Sequence, residues 1–136
     1  HDTQPYEVDE EKFFNRGSSG GTLVSPALNY VLEQAEKRYN PRSWNIYTFH
    51  CSDGDNWPSD NQKCVDLSTK IAEMCQMYAY IQTVQGMPGY WEGSSGIVEK
   101  YYKINHSKFK IAQLEKKEDV WHEFKRILGG SSGLES

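Results

Sequence analysis

Three short apolar runs, each of strand length, are separated along this chain by stretches patterned for helices, and that alternation restricts the fold more than any other feature. The first run, Asn45-Ile46-Tyr47-Thr48-Phe49-His50-Cys51, is rich in β-branched and aromatic residues and has apolar side chains of both parities. Successive side chains of a strand point to opposite faces, so the run predicts a central strand covered on both sides. The second spans Met77 to Val84 and the third Phe109 to Leu114. Strands joined through helices form βαβ units with parallel pairing and right-handed crossovers. The expected fold is therefore α/β and three-layered, with a mostly parallel sheet and helices on both faces.

The intervening segments carry helix signals of their own. Ser25 reads as an N-cap and Pro26 as the first helical residue, while Leu28, Val31, Leu32, Ala35 and Tyr39 recur at helical spacing. A helix over about 26–39 is expected, stopped by Asn40-Pro41. Cys64, Leu67, Ser68, Ile71 and Cys75 fall on one face of a second helix. A short helix is expected around Ile97, Val98, Tyr101 and Tyr102. A last one begins at Glu118, carries Val120, Trp121, Phe124, Ile127 and Leu128 as its apolar stripe, and ends at Gly129-Gly130. Residues 131–136 read as a disordered tail or a remnant of cloning.

Hydrophobic residues at 37% and aromatics at 13% suffice for the core of one domain over residues 1–130. The 19 acidic and 15 basic residues are interspersed, leaving a net charge of -4 and no basic stripe for phosphates, which excludes nucleic acid as the main partner. No apolar run reaches the roughly 18 residues of a membrane-spanning helix, so no membrane partner and a cytoplasmic location are expected. The three cysteines lack a Cys-x-x-Cys pair and are expected to be reduced and mostly buried. The chain opens on His1 without a targeting pattern and is expected to be part of a longer protein.

Ligands of open α/β sheets bind beyond the carboxyl ends of the strands. Two loops there carry hard oxygen donors: Gly20-Gly21-Thr22 before the first long helix, and Ser52-Asp53-Gly54-Asp55-Asn56 after the first strand. A hydroxyl and a carboxylate on neighbouring loops suit Mg²⁺, which prefers oxygen ligands and retains several waters. At these residues the sequence resembles the von Willebrand factor A fold, whose metal-ion-dependent adhesion site takes ligands from three loops. Thr22 matches the family's threonine at a helix start, and Asp53 in Ser52-Asp53-Gly54 matches its aspartate turn. The family's first motif, Asp-x-Ser-x-Ser, has no counterpart in this chain.

A longer resemblance is to the uncharacterised bacterial YeaH/YhbH family, associated with stress response and sporulation, which carries a von Willebrand A-like C-terminal region. The matching text includes Glu11-Lys12-Phe13-Phe14, Gly20-Gly21-Thr22, Arg38-Tyr39, Trp44-Asn45-Ile46-Tyr47, Ser52-Asp53-Gly54-Asp55-Asn56-Trp57, Asp60-Asn61 and Cys64-Val65. This implies half of a von Willebrand A domain, acting as a non-enzymatic protein-interaction module. Its incomplete site would have Thr22 and Asp53 as ligands for Mg²⁺ or Mn²⁺ in the intact protein, and no cation is expected in this part alone. Gly20 and Gly21 would let the backbone approach a protein partner, and Asp55, Asn56 and Trp57 would shape the rim. In that strand order the run at 45–52 lies beside a first strand absent here, and dimerisation, strand exchange or cover of its edge by the N-terminal segment is expected.

Simpler readings stand beside these. Asp53, Asp55 and Thr22 are ordinary turn and capping residues. A metal-dependent hydrolase built on Asp53, Asp55 and Asp60, and a metal-free scaffold, are the rival functions. An EF-hand fails, because its sixth position would be Pro58 and its twelfth Cys64. His50 beside Cys51 is expected to be a buried, hydrogen-bonded histidine, since neighbours on a strand point apart.

Overall fold

The computed structural model describes residues 4–15, 23–83 and 96–129. Three strands, β1 (Tyr47–Ser52), β2 (Met77–Thr83) and β3 (Phe109–Leu114), form one parallel sheet in the order β1-β2-β3. The registers Tyr47↔Met77 and Tyr78↔Phe109 bring the carboxyl ends together, with Ser52 beside Gln82 and Thr83 beside Leu114. The helices are α1 (Glu10–Asn15), α2 (Ser25–Lys37), α3 (Asn61–Met74), α4 (Ile97–Tyr101) and α5 (Asp119–Gly129). A single 3-10 turn, Pro58–Asp60, leads into α3. None of the described helices is long and apolar enough to cross a membrane.

The alternation of side chains sorts the core into two layers. Tyr78 and Tyr80 of β2 and Phe109 of β3 join Cys64, Leu67, Ile71 and Cys75 of α3 and Ile97, Val98 and Tyr101 of α4 on one face. Leu28 of α2 completes that cluster from behind α3. On the opposite face Met77, Ala79 and Ile81 of β2 and Ala112 of β3 meet Ile127 of α5, flanked by Phe124. The sheet is thus covered by helices on both faces, as the three-layer expectation requires. Side chains such as Ile71, with no exposed surface, each contribute about 1.5–3 kcal/mol through burial.

The fully covered strand is β2, buried from Met77 to Gln82, and not β1. Among the described residues β1 is the outer strand, with Tyr47, Phe49 and Cys51 exposed on the α5 side. Apolar parity assigned its side chains to faces correctly, but whether a helix lies over a face depends on where α5 crosses. Cys51 is correspondingly exposed, while Cys64 and Cys75 are buried, and all three are free thiols.

Ser25 is not the N-cap of α2. The chain is already helical at Val24 (φ -84, ψ -38), so the first unpaired backbone N–H groups are those of Val24 and Ser25, and both residues are buried. Their acceptors come from elsewhere in the fold, as described below. The helix α1 was not foreseen; Asp9 initiates it by accepting from Lys12 N at 2.8 Å. Glu7, just before it, pairs with Arg38 at 2.6 Å and ties this segment to the end of α2.

Candidate functional site

Beyond Ser52 the chain reverses in a turn built by its own side chains. Ser52 Oγ accepts from Gly54 N at 3.0 Å and Asp53 Oδ1 accepts from Asp55 N at 3.1 Å. Gly54 adopts φ +96, a conformation glycine takes without strain, and a Cβ placed there would lie 2.7 Å from Gln82 Nε2. Gln82 cannot easily yield, being buried with its Oε1 accepting from Tyr80 OH at 2.8 Å. Burial pushes the Tyr80 hydroxyl up to about 12, with a hydrogen bond to Ser52 opposing, so it remains a neutral donor. The end of β2 therefore supports the Ser52-Asp53-Gly54 turn from below, and Asp53 and Asp55 are left exposed on top.

The same loop then returns to α2. Asn56 Oδ1 accepts from Val24 N at 3.0 Å while its Nδ2 donates to Asn61 Oδ1 at 2.8 Å. Asp60 Oδ2 accepts from Ser25 N at 2.9 Å and from the Cys64 thiol at 3.1 Å. The carboxylate thus stands at the positive end of α2 and does in trans what Ser25 was expected to do in cis. Burial alone would raise the Asp60 pKa, but hydrogen bonds from Ser25, Cys64 and Asn56 outweigh it and hold the group below the usual carboxylate range. Burial, with the adjacent Asp60 carboxylate, pushes the Cys64 thiol far up, so it is a protonated donor and no nucleophile. Asp60→Ala would leave the buried Ser25 N–H without an acceptor and is expected to cost about 2 kcal/mol in urea unfolding, with the loss concentrated in the α2 amides by hydrogen exchange.

The residues singled out in the sequence thus separate into groups. Asp53 and Asp55 are exposed at the carboxyl end of the sheet, and Trp57 is exposed beside them. Asn56 is half-buried and turned inward as a clamp between α2 and α3. Gly20, Gly21 and Thr22 lie outside the described residues; the described chain resumes at Leu23. Asp60 does not share the surface of Asp53, since its carboxylate is committed to Ser25 and Cys64. Among the described residues no group of three or more His, Cys, Asp or Glu side chains could hold a metal ion. The supporting roles of Tyr80, Gln82 and Asp60 carry no signal in the linear sequence, because the segments they hold, the Ser52-Asp53-Gly54 turn and the start of α2, lie far from them in the chain.

His50 is a buried histidine with Nδ1 2.9 Å from Tyr78 OH. The rings of Tyr80, Tyr101 and Tyr78 meet it edge-on at 4.9, 6.2 and 6.3 Å. Burial lowers its pKa to about 4, so it is neutral at pH 7. Cys51 points to the opposite face, which removes any nucleophile and base pairing between the two.

The chain is 43% identical to a UPF0229 protein of Ruminiclostridium cellulolyticum over 133 residues, covering 97% of this chain and 33% of that protein. It is likewise 43% identical to UPF0229 protein OB2647 of Oceanobacillus iheyensis over 128 residues, 94% of this chain and 32% of the relative. A UPF0229 protein of Bacillus thuringiensis is 37% identical over 133 residues, 98% of this chain and 33% of its own length. The chain therefore spans about a third of the curated relatives it matches. No solved structure matches it. With residues 1–130 matching one family throughout, the chain belongs to the bacterial family described as protein of unknown function (DUF444), which includes proteins named UPF0229.

Proposed function

We propose that this chain is the C-terminal part of a protein-interaction module of the von Willebrand factor A type, in the longer proteins of this family. In those proteins Asp53 and Thr22 would contribute oxygen ligands to a divalent cation, Mg²⁺ or Mn²⁺, with the remaining donors supplied by polypeptide outside this chain. The bound cation would supply a Lewis-acidic position that accepts a carboxylate oxygen from a partner protein. The observation that carries the reading is the junction of the two candidate loops. Asn56, three residues after Asp53, accepts from the backbone of Val24, two residues after Thr22. A hydrogen bond of 3.0 Å therefore ties together the bases of the two segments, at the carboxyl end of the sheet.

The donor chemistry fits a hard cation. Asp53 is exposed, one of its oxygens accepts the turn amide, and the other has no hydrogen-bond donor among the described residues. Its carboxylate is aligned by that amide and by the Gly54 turn, so ligation would not require freezing a mobile side chain. Asp55 and Trp57, exposed beside it, would meet the partner at the rim. Among the described residues no pair of nucleophile and base accompanies it, so the reading is of binding and not of turnover.

Calorimetric titration of Mg²⁺ and Mn²⁺ into the full-length protein and into the 136-residue chain tests this, with Asp53→Ala in each. Binding is expected in the full-length protein and is expected to weaken by roughly 10-fold to 100-fold on the substitution. Absence of binding by the full-length protein would replace the proposal with a metal-free scaffold.

A further inference from the structure

Among the aspartates and asparagines of this chain, Asp53 alone is followed by glycine. That pairing favours a reaction of the backbone with its own side chain. The nitrogen of the following residue attacks the side-chain carboxyl carbon, its N–H proton passes to solvent, and one carboxyl oxygen leaves as water. The product is a five-membered succinimide. Water then adds to either carbonyl, restoring aspartate or rerouting the main chain through the side-chain carbon as isoaspartate, with no net change in mass. A side chain on the following residue crowds the attack, and glycine has none. Only a solvated carboxyl group and a nitrogen able to approach it are required.

Asp53 meets the first condition, being exposed on its turn with one oxygen that has no hydrogen-bond donor among the described residues. The turn withholds the second. Gly54 N donates to Ser52 Oγ at 3.0 Å, Ser52 is hydrogen-bonded to the Tyr80 hydroxyl, and Tyr80 donates to Gln82 Oε1 at 2.8 Å. The Gly54 proton therefore stands at the head of a line of neutral groups that ends on a buried amide and contains no base. Asp53 Oδ1 is meanwhile held by Asp55 N at 3.1 Å, and Gln82 fills the space beneath Gly54. Attack requires Gly54 N to leave Ser52 and the carboxyl carbon to swing onto it, so the reaction waits on local opening of the turn.

We infer that Asp53 is a latent site of isoaspartate formation and that Ser52, by holding the Gly54 amide, is its restraint. Conversion adds one carbon to the main chain of the turn and changes the spacing of both hydrogen bonds that close it. The carboxylate moves with it, which in the reading above withdraws Asp53 from the cation. The chemistry itself stands independently of that reading.

Peptide mapping of the full-length protein, held for several weeks at physiological temperature and neutral pH, tests the assignment. The fragment containing Asp53 is resolved into aspartate and isoaspartate forms, the latter resisting an aspartate-directed protease. A synthetic peptide of residues 47–62 supplies the unrestrained rate. The folded protein is expected to convert roughly fivefold or more slowly than the peptide, and Ser52→Ala roughly fivefold faster than wild type, the factor that one such hydrogen bond carries. Ser52→Thr keeps a hydroxyl and is expected to stay near the wild-type rate. Tyr80→Phe leaves the turn residues intact, is expected to accelerate conversion by a smaller factor, and carries the comparison where Ser52→Ala does not fold. Equal rates in folded protein and peptide, or hydroxyl-deleted variants that convert no faster than wild type, would overturn the inference.

Discussion

Between pH 6.5 and pH 4 the folded chain is expected to lose about 3 kcal/mol of stability at His50 alone. The unfolded imidazole takes up a proton as pH falls through about 6.5, whereas the folded one, held by burial at about 4, does not. A depressed folded pKa means that the stabilisation is complete above the unfolded value and is lost on the way down to the folded one. The cause is the surroundings of the ring. Tyr78, Tyr80 and Tyr101 enclose it, burial raises the pKa of all three hydroxyls, and none supplies a counter-charge. The Tyr78 hydroxyl is also engaged with Ser68, which donates to Tyr101. Urea unfolding followed by tryptophan fluorescence at several pH values measures the slope. His50→Phe keeps a ring in the space, gives up about 1 kcal/mol at pH 7 for the lost hydrogen bond, and should be flatter than wild type by the full His50 contribution. Equal slopes in the two proteins would show that His50 is protonated within the fold.

Gly54→Ala should cost about 2–4 kcal/mol, more than any other single methyl addition at the candidate site, because strain and overlap act together. The positive φ of +96 disfavours any side chain, and the new Cβ would meet Gln82 Nε2 at 2.7 Å. Displacing Gln82 also breaks its acceptance of the Tyr80 hydroxyl inside the core. The expected outcome divides between two readouts. Thermal unfolding reports the loss of stability, and in the full-length protein any cation affinity should fall with it, since the turn that aligns Asp53 is no longer populated. Gln82→Ala removes the overlap but keeps the backbone demand, so combining it with Gly54→Ala should recover only part of the stability. Full recovery would mean that the φ at Gly54 carries no strain, and an unchanged Gly54→Ala protein would mean that the turn is not held from β2.

Sequence pattern determined the three strands, the helices α2 to α5, their order and the parallel sheet, but not α1. Those properties depend on near neighbours: periods of two and 3.6, β-branched runs, and the turn-forming Ser52-Asp53-Gly54. The same local chemistry placed the candidate carboxylate of Asp53 at the carboxyl end of β1, and strand parity separated His50 from Cys51. Only the tertiary structure decided the rest. Ser25 reads as a cap in any linear analysis, yet the helical entry at Val24 and the carboxylate of Asp60, 35 residues away, make it the capped residue instead. Gln82 reads as the polar end of a strand, and becomes the support of a turn through parallel pairing with Ser52. β1 reads as a central strand because alternation records which way side chains point, and coverage depends on the reach of α5, which rests on β2 and β3 and touches β1 through Phe124 on Phe49. Periodicity is a property of a segment, whereas capping in trans, support from a neighbouring strand and coverage of a face are properties of segments brought together, and no stretch of the chain carries them alone.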